Sequence, residues 1–163
     1  MGEGTMKEYE QTGVLSVNDL VLPSTKQMQK GVAITECIQE IPCNPCVDSC
    51  PVNAISMKNI NAPPIVDYDA CIACGKCVGV CPGLAIFVVK KEGDDGLLTL
   101  PYEFLPIPKK DEQVITIDRD GKKVGNGIVK RVKKQGKTMV VTVELDAKDL
   151  MKVRHIKMGN TSD

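Results

Sequence analysis

The chain has 163 residues, with 21 basic side chains balanced by 21 acidic ones, eight cysteines, one histidine, three tyrosines, two phenylalanines and no tryptophan. That length suits one ordinary domain or two small ones, and so few aromatics leave neither half much large apolar material with which to build a core. A net charge of zero argues against an indiscriminate nucleic-acid binder. The balance also hides a segregation: residues 1–90 hold 6 Lys and 9 acidic residues, net −3, whereas residues 91–163 hold 15 basic and 12 acidic, net +3.

At the start, "MGEGTMKEYEQTG" offers no apolar core of a signal peptide, and Met6 stands where a myristoylation pattern needs Ser or Thr. No run approaches the ~18 apolar residues of a membrane span. The expected location is therefore the cytoplasm, where clustered cysteines bind metal or carry redox chemistry more often than they form disulfides. Residues 1–31 read as an arm, polar apart from "VLSVNDLVLP" at 14–23, which suits an extended strand or a segment lying on a partner.

From residue 32 the sequence repeats itself. Val32-Ala33-Ile34 leads as a short strand into cysteines 37, 43, 46 and 50; "IVDYDA" leads into cysteines 71, 74, 77 and 81 and a closing strand from Ala85 to Val89. Both runs end in Cys-Pro, then a short helix is expected, then Ala-Ile (Ala54-Ile55 and Ala85-Ile86). Such self-similarity predicts a pseudo-twofold unit with one metal site per half. "KKEGDDG" at 90–96 has charge, glycine and no apolar anchor, and reads as a boundary. Three parts follow: an arm at 1–31, a cysteine unit at 32–92 and a small β unit at 93–163.

In the last part, prolines 101, 106 and 108 demote "LLTLPYEFLPIP" to an edge strand or linker. "QVITIDRDGKKVGNGIVKRVKKQGKTMVVTVEL" supplies three strands, with turns at Asp120-Gly121 and Gln135-Gly136. Val124, Ile128 and Val132 are expected on one face of a strand, as are Met139, Val141 and Val143. "VRHIKM" is a fourth strand after "AKDLM". The fold class expected is α+β: the pseudo-twofold unit followed by a small antiparallel β-barrel or meander, SH3-like or OB-like.

Soft thiolates select zinc, copper(I) or iron-sulfur clusters. Structural zinc commonly pairs two cysteines of one knuckle with two distant ligands. Cys71, Cys74 and Cys77 instead give three thiolates at successive two-residue gaps, a loop that winds around three corners of a cube, and Cys81-Pro82 follows. Proline at a first helical position would fix the angle at which the chain leaves.

Residues 32–90 resemble bacterial-type ferredoxins that carry two [4Fe-4S] clusters, and the second run matches that pattern without departure. The resemblance implies crossed ligation. Cys50, Cys71, Cys74 and Cys77 would hold one cluster; Cys43, Cys46 and Cys81 would hold three corners of the other. Its fourth corner is irregular, because Glu40 stands where the first cysteine belongs. Cys37 is the candidate within this run, reaching over a five-residue loop from Ile38 to Pro42; otherwise it is an inert thiol beside a three-iron cluster. Gly75 follows Cys74 where the wrapping backbone needs positive φ, and Asn44, its counterpart, is the next most tolerant residue. Ile55, Ile72, Val78 and Ile86 are expected to form an apolar shell, and Tyr68 to pack near a cluster.

No reaction centre accompanies these thiols. His155 lacks a hydrolytic partner, Gly125-Asn126-Gly127 lacks the third glycine of a dinucleotide loop, and Asp118-Arg119-Asp120-Gly121 suits a hairpin turn better than a calcium loop. Asn160-Thr161-Ser162 matches a glycosylation sequon by chance. An electron wire needs protein redox partners. The layout resembles ferredoxin-like electron-transfer subunits of flavin-dependent dehydrogenase complexes acting on amino acids, amines or hydroxy acids, which implies a flavoprotein partner in a hetero-oligomer. The cations around 122–137 read as a solvated hairpin face or a docking surface. The rival readings are a zinc-stabilised nucleic-acid-binding module and a free-standing ferredoxin; scarce aromatics weigh against nucleic acid as the partner.

Overall fold

Among the described residues, runs rich in Val, Ile and Thr form nine strands. They are β1 (Val32–Thr35), β2 (Ile55–Ser56), β3 (Ile65–Val66), β4 (Ile86–Glu92), β5 (Asp95–Tyr102), β6 (Gln113–Asp118), β7 (Lys123–Gln135), β8 (Thr138–Asp146) and β9 (Val153–Lys157). The computed structural model describes residues 6–159; the first five residues of the arm and the Asn160-Thr161-Ser162 sequon lie outside them. Seven strands make one antiparallel sheet in the order β1-β4-β5-β8-β7-β6-β9, and β2 pairs with β3 separately.

The stretch 90–96 takes the form of a hairpin. Val88 to Glu92 of β4 pair with Asp95 to Thr99 of β5, and Gly93 closes the turn at φ 62°. β4 pairs on its other edge with β1, from Val32↔Val89 to Thr35↔Ile86. The sheet and its core therefore run without a break from the cysteine unit into the β unit, with Cys46, Cys77 and Val78 in the same apolar cluster as Leu98, Val141 and Ile156.

Two expectations about strands are corrected. β5 is an interior strand between β4 and β8 in spite of Pro101, which pairs in register with Val140. Proline is tolerated there because the β4 pairing ends at Val88↔Thr99, so beyond Thr99 one edge of β5 has no ladder to lose. On β7, Ile128 faces solvent, while Gly127 and Val129 are buried. A bulge between Val129 and Arg131 inserts one residue and reverses which positions face inward. Gly127 also permits close packing, since a Cβ there would lie 2.5 Å from Val143 Cγ1. The turns fall where glycine marks them, at Gly121 (φ 82°) and Gly136 (φ 61°).

In the cysteine unit, α3 (Pro45–Ser49) and α4 (Lys76–Val80) are matching single turns. The expected helix after each Cys-Pro is instead the turn before it. Cys50 and Cys81 cap α3 and α4 at their C-termini with nearly identical geometry, φ −74°, ψ 114° and φ −69°, ψ 114°. Pro51 and Pro82 then prevent the helices from continuing.

The arm lies on its own chain. α1 (Glu8–Thr12) precedes a 3₁₀ turn at Val17–Asp19, and α2 (Thr25–Lys30) is capped by Ser24, whose hydroxyl accepts from the Gln27 N–H. Lys30 Nζ donates to the carbonyls of Tyr68 and Asp69 at 2.8 and 2.7 Å, Gln27 reaches Asp69, and the Tyr68 hydroxyl donates to the Val21 carbonyl.

His155 on β9 stacks on Tyr102 at 5.8 Å between ring centroids and meets the edge of Phe104 at 5.2 Å. Burial holds its pKa below the usual 6.5, favouring the neutral ring in the folded state. This contribution to stability is complete above pH about 6.5 and is lost as pH falls through the lowered folded value. His155→Phe keeps the stack and removes the proton. Its melting temperature should fall less between about pH 7.5 and pH 5.5 than that of the parent; equal falls would show that the ring does not titrate against burial.

Candidate functional site

The eight thiols, all free among the described residues, sort four and four. Cys50, Cys71, Cys74 and Cys77 line one apolar cavity with Ala33, Val52 and Ile55. Cys37, Cys43, Cys46 and Cys81 line a second with Met57, Pro64 and Ile86. Each cavity thus takes three cysteines from one stretch and one from the other, since Cys50 and Cys81 exchange sides. Cys37 reaches the second cavity across the Ile38–Pro42 loop, which is anchored where the Cys43 N–H donates to the Ile60 carbonyl at 3.2 Å.

Local backbone geometry makes the two cavities related but unequal. Asn53 (φ 52°) and Leu84 (φ 53°) both turn left-handed after the Cys-Pro pairs. Each presents the next N–H to sulfur: Ala54 to Cys50 Sγ at 3.2 Å and Ala85 to Cys81 Sγ at 3.5 Å. Ala33 adds a third such bond to Cys71 Sγ at 3.3 Å. Gly75 has the expected positive φ of 77°, and Ala73 shares it at 56°. Asn44 does not: its φ is −143°. Pro45 follows it, and a residue before proline is driven toward φ near −120°.

Electrostatics separate the thiols. Burial pushes Cys77 up to about 12, with Cys71 and Cys74 adding to the effect. Burial also raises Cys37 and Cys46, and both feel Cys81 and Cys43. Cys50 is the exception: burial raises it, but backbone N–H groups of Ala54, Val52, Ile55 and Asn53 outweigh burial and leave it lowered. Of the expected apolar shell, Ile55, Val78 and Ile86 are buried, whereas Ile72 is 58% exposed on the outside of its loop. Tyr68 is half-buried between the arm and Cys71, where burial raises its pKa.

Residues 36–86 match the family of 4Fe-4S dicluster domains. This segment belongs to the 4Fe-4S ferredoxin family. The chain is 38% identical over 53 residues to the polyferredoxin-like subunit of an aliphatic sulfonate oxidoreductase from Pyrococcus furiosus, covering 32% of this chain and 31% of that one. It is 46% identical over 52 residues to the ferredoxin-type protein NapF of Haemophilus influenzae, covering 30% of each. With an uncharacterized ferredoxin of Methanocaldococcus jannaschii the identity is 52% over 44 residues, covering 27% of this chain and 28% of the relative. The chain thus spans about a third of the length of the curated relatives it matches, and no solved structure matches it significantly. The donor set suits the cofactor of the family: four soft thiols around each apolar cavity, with N–H groups aimed at sulfur.

One feature of the ferredoxin segment was not legible in its sequence. Glu36, between β1 and Cys37, is held by two arginines from the β unit. Arg119 Nε donates to Oε1 at 2.5 Å and Arg154 Nε to Oε2 at 3.0 Å. The Glu36 and Arg154 side chains are only 7% and 4% exposed. Burial pulls Arg154 down to about 10, opposed by Glu36, so it stays charged at neutral pH. Arg154 also donates to the carbonyls of Leu150 and Val153 and lies 5.1 Å from the Phe87 ring centre, and Arg119 donates to the Met151 carbonyl. Because β1 and β9 are opposite edges of the sheet, this clasp draws the sheet into a curl. The available signal was the scarcity of arginine, which occurs three times in the chain and is the residue suited to buried pairing.

Removing Glu36 would leave two buried guanidiniums facing each other. Glu36→Ala should lower stability in anaerobic denaturant unfolding by about 3–5 kcal/mol, and Glu36→Gln, which retains an acceptor, by less. A parental midpoint for Glu36→Ala would mean that the clasp contributes nothing.

Proposed function

We propose that the chain is an electron-transfer subunit with two [4Fe-4S] clusters, one held by Cys37, Cys43, Cys46 and Cys81 and the other by Cys50, Cys71, Cys74 and Cys77. The observation that carries this reading is the four-and-four sorting of thiols, with Cys50 and Cys81 exchanged between cavities. The fold is then a pseudo-twofold ferredoxin unit whose closing strand continues into an antiparallel β extension. Each cluster, when bound, accepts and releases one electron.

The protein's own residues supply position and environment. Eight thiolates fix the site, and metal ligation by thiols releases their protons, most of all at Cys77. Buried Ile55 lines one cavity and buried Ile86 the other, keeping water from them, and the N–H groups of Ala33, Ala54 and Ala85 stabilise negative charge on sulfur. Hydrogen bonds to sulfur and solvent exposure are two of the determinants of cluster potential. Helices α3 and α4, which carry Cys46 and Cys77, pack against each other, so the two thiol groups are neighbours, as electron passage between clusters requires.

A zinc-stabilised nucleic-acid module fits less well. Zinc needs its ligands to meet at a point; here the thiols ring two cavities, and among the described residues no three Cys, His or acidic side chains come close enough to hold one ion. Eight clustered thiols serving as metal ligands suit a reducing compartment, which favours the cytoplasm. Among the described residues no helix is long and apolar enough to cross a membrane. The relative named as a subunit of an oxidoreductase supports a place within a larger complex. The partner in this reading is a flavoprotein dehydrogenase of amino acids, amines or hydroxy acids. Purification from the native host should recover a flavin-containing subunit with this chain; recovery as a lone monomer would contradict that part.

The irregular fourth corner has its own test. Cys37→Ala should leave the Cys50 cluster intact and convert the other to a three-iron form, seen as a paramagnetic signal in the oxidised protein and the loss of about one iron. An unchanged oxidised spectrum with full iron content would remove Cys37 from the ligand set.

A further inference from the structure

Cys74 is the one exposed thiol among the eight. Beside it lies a shallow polar cavity of about 70 Å³ between the Ala73–Lys76 loop and the sheet, lined on the sheet side by Arg131, Lys133 and Gln135. These are alternate positions of β7, placed on this face by the bulge between Val129 and Arg131. The placement is fixed at its end. Gln135 Nε2 donates to the Lys76 carbonyl at 3.0 Å, and Gly79 leaves the room for it, since a Cβ there would lie 2.3 Å from Gln135 Oε1.

Three cations, Lys76, Arg131 and Lys133, therefore surround the exposed thiol, and no acidic residue lines the cavity. Among the described residues none of the three has a carboxylate within salt-bridge reach, whereas Lys130, their neighbour on β7, pairs with Glu144 at 3.6 Å. Unpaired, exposed cations on a fixed frame attract an anionic surface and steer its approach. Arginine adds a planar fork that matches a carboxylate.

We infer that Lys76, Arg131 and Lys133 form a docking surface for an acidic face of a redox-partner protein, seated over the Cys74 corner. This rests on the electron-transfer reading above. In the docked pair a cluster held by Cys50, Cys71, Cys74 and Cys77, when bound, would exchange one electron with the flavin or haem of the partner, one centre being oxidised by one electron as the other is reduced by one. The lysine and arginine heads hold the partner at the most exposed corner, where the tunnelling path is shortest.

The test uses two probe proteins of opposite charge, acidic flavodoxin and basic cytochrome c, each mixed by stopped flow with the full-length protein in whichever redox state lets the electron run downhill. With flavodoxin the parental rate should fall as salt rises. The double variant R131E/K133E should react roughly ten-fold more slowly with flavodoxin at low salt, with a flattened or inverted salt dependence. Cytochrome c should react no more slowly. The variant K122E/K123E, with the same change in net charge at the far end of β7, should keep the parental flavodoxin rate. R131Q/K133Q, with parental iron content, guards against misfolding and should show an intermediate loss. Equal flavodoxin rates and salt slopes for parent and R131E/K133E would overturn the proposal, as would a shift in cluster midpoint potential with the salt slope unchanged, which would make these cations tuning groups. Protein lacking iron altogether would instead defeat the electron-transfer reading on which the proposal stands.

Discussion

Strand β4 is hydrogen-bonded on both edges, to β1 and to β5, and the arrangement of both halves depends on it. Just before its first residue, the Ala85 N–H reaches Cys81 Sγ while the Ala85 carbonyl accepts from the Glu36 N–H. One short stretch of backbone therefore holds a thiol of one cavity, the approach to Cys37 and the edge of the seven-stranded sheet. A shift in β4 would move all three together. A chain with so few aromatics gains from this sharing: the thiol-bearing unit need not assemble an independent core, because Val88, Val89, Leu98 and Val141 belong to the core it already uses.

The clasp on Glu36 completes the enclosure from the opposite side. Two cations on one carboxylate leave a net positive charge next to Cys37, and the strand edge that carries Arg154 lies farthest from β1 in sheet order. The β unit thus acts on the cysteine unit at two places. Arg119 and Arg154 bind Glu36 beside Cys37, and Gln135 donates to the Lys76 carbonyl close to Cys74.

What could be read from sequence was what short-range chemistry determines. Glycine at 121 and 136 fixes the hairpin turns through positive φ, cysteine spacing fixes the tight second loop, and Gly75 adopts the left-handed geometry that this loop requires. What could not be read depends on distant residues or on a change of phase. Arg119 and Arg154 meet Glu36 across 83 and 118 residues of sequence. The bulge at Val129 exposes Ile128 and turns Arg131 toward Cys74, although the alternation of apolar residues runs on across it. Pro101 lies inside a sheet because its neighbour strand ends in time, and Pro45 denies Asn44 the left-handed turn that its residue type tolerates. The Cys-Pro pairs were legible as helix boundaries, but they are ends and not beginnings.

The proposed electron-transfer reading makes one direct demand on the native protein: each of the two thiol-lined cavities should hold its own cluster. Iron and acid-labile sulfide per chain, measured on anaerobically purified protein together with EPR after reduction, test this most directly. The account predicts about eight irons and about eight sulfides, with reduced signals broadened by the interaction of two neighbouring clusters. Zinc in place of iron, or about four irons with a single isolated signal, would contradict it.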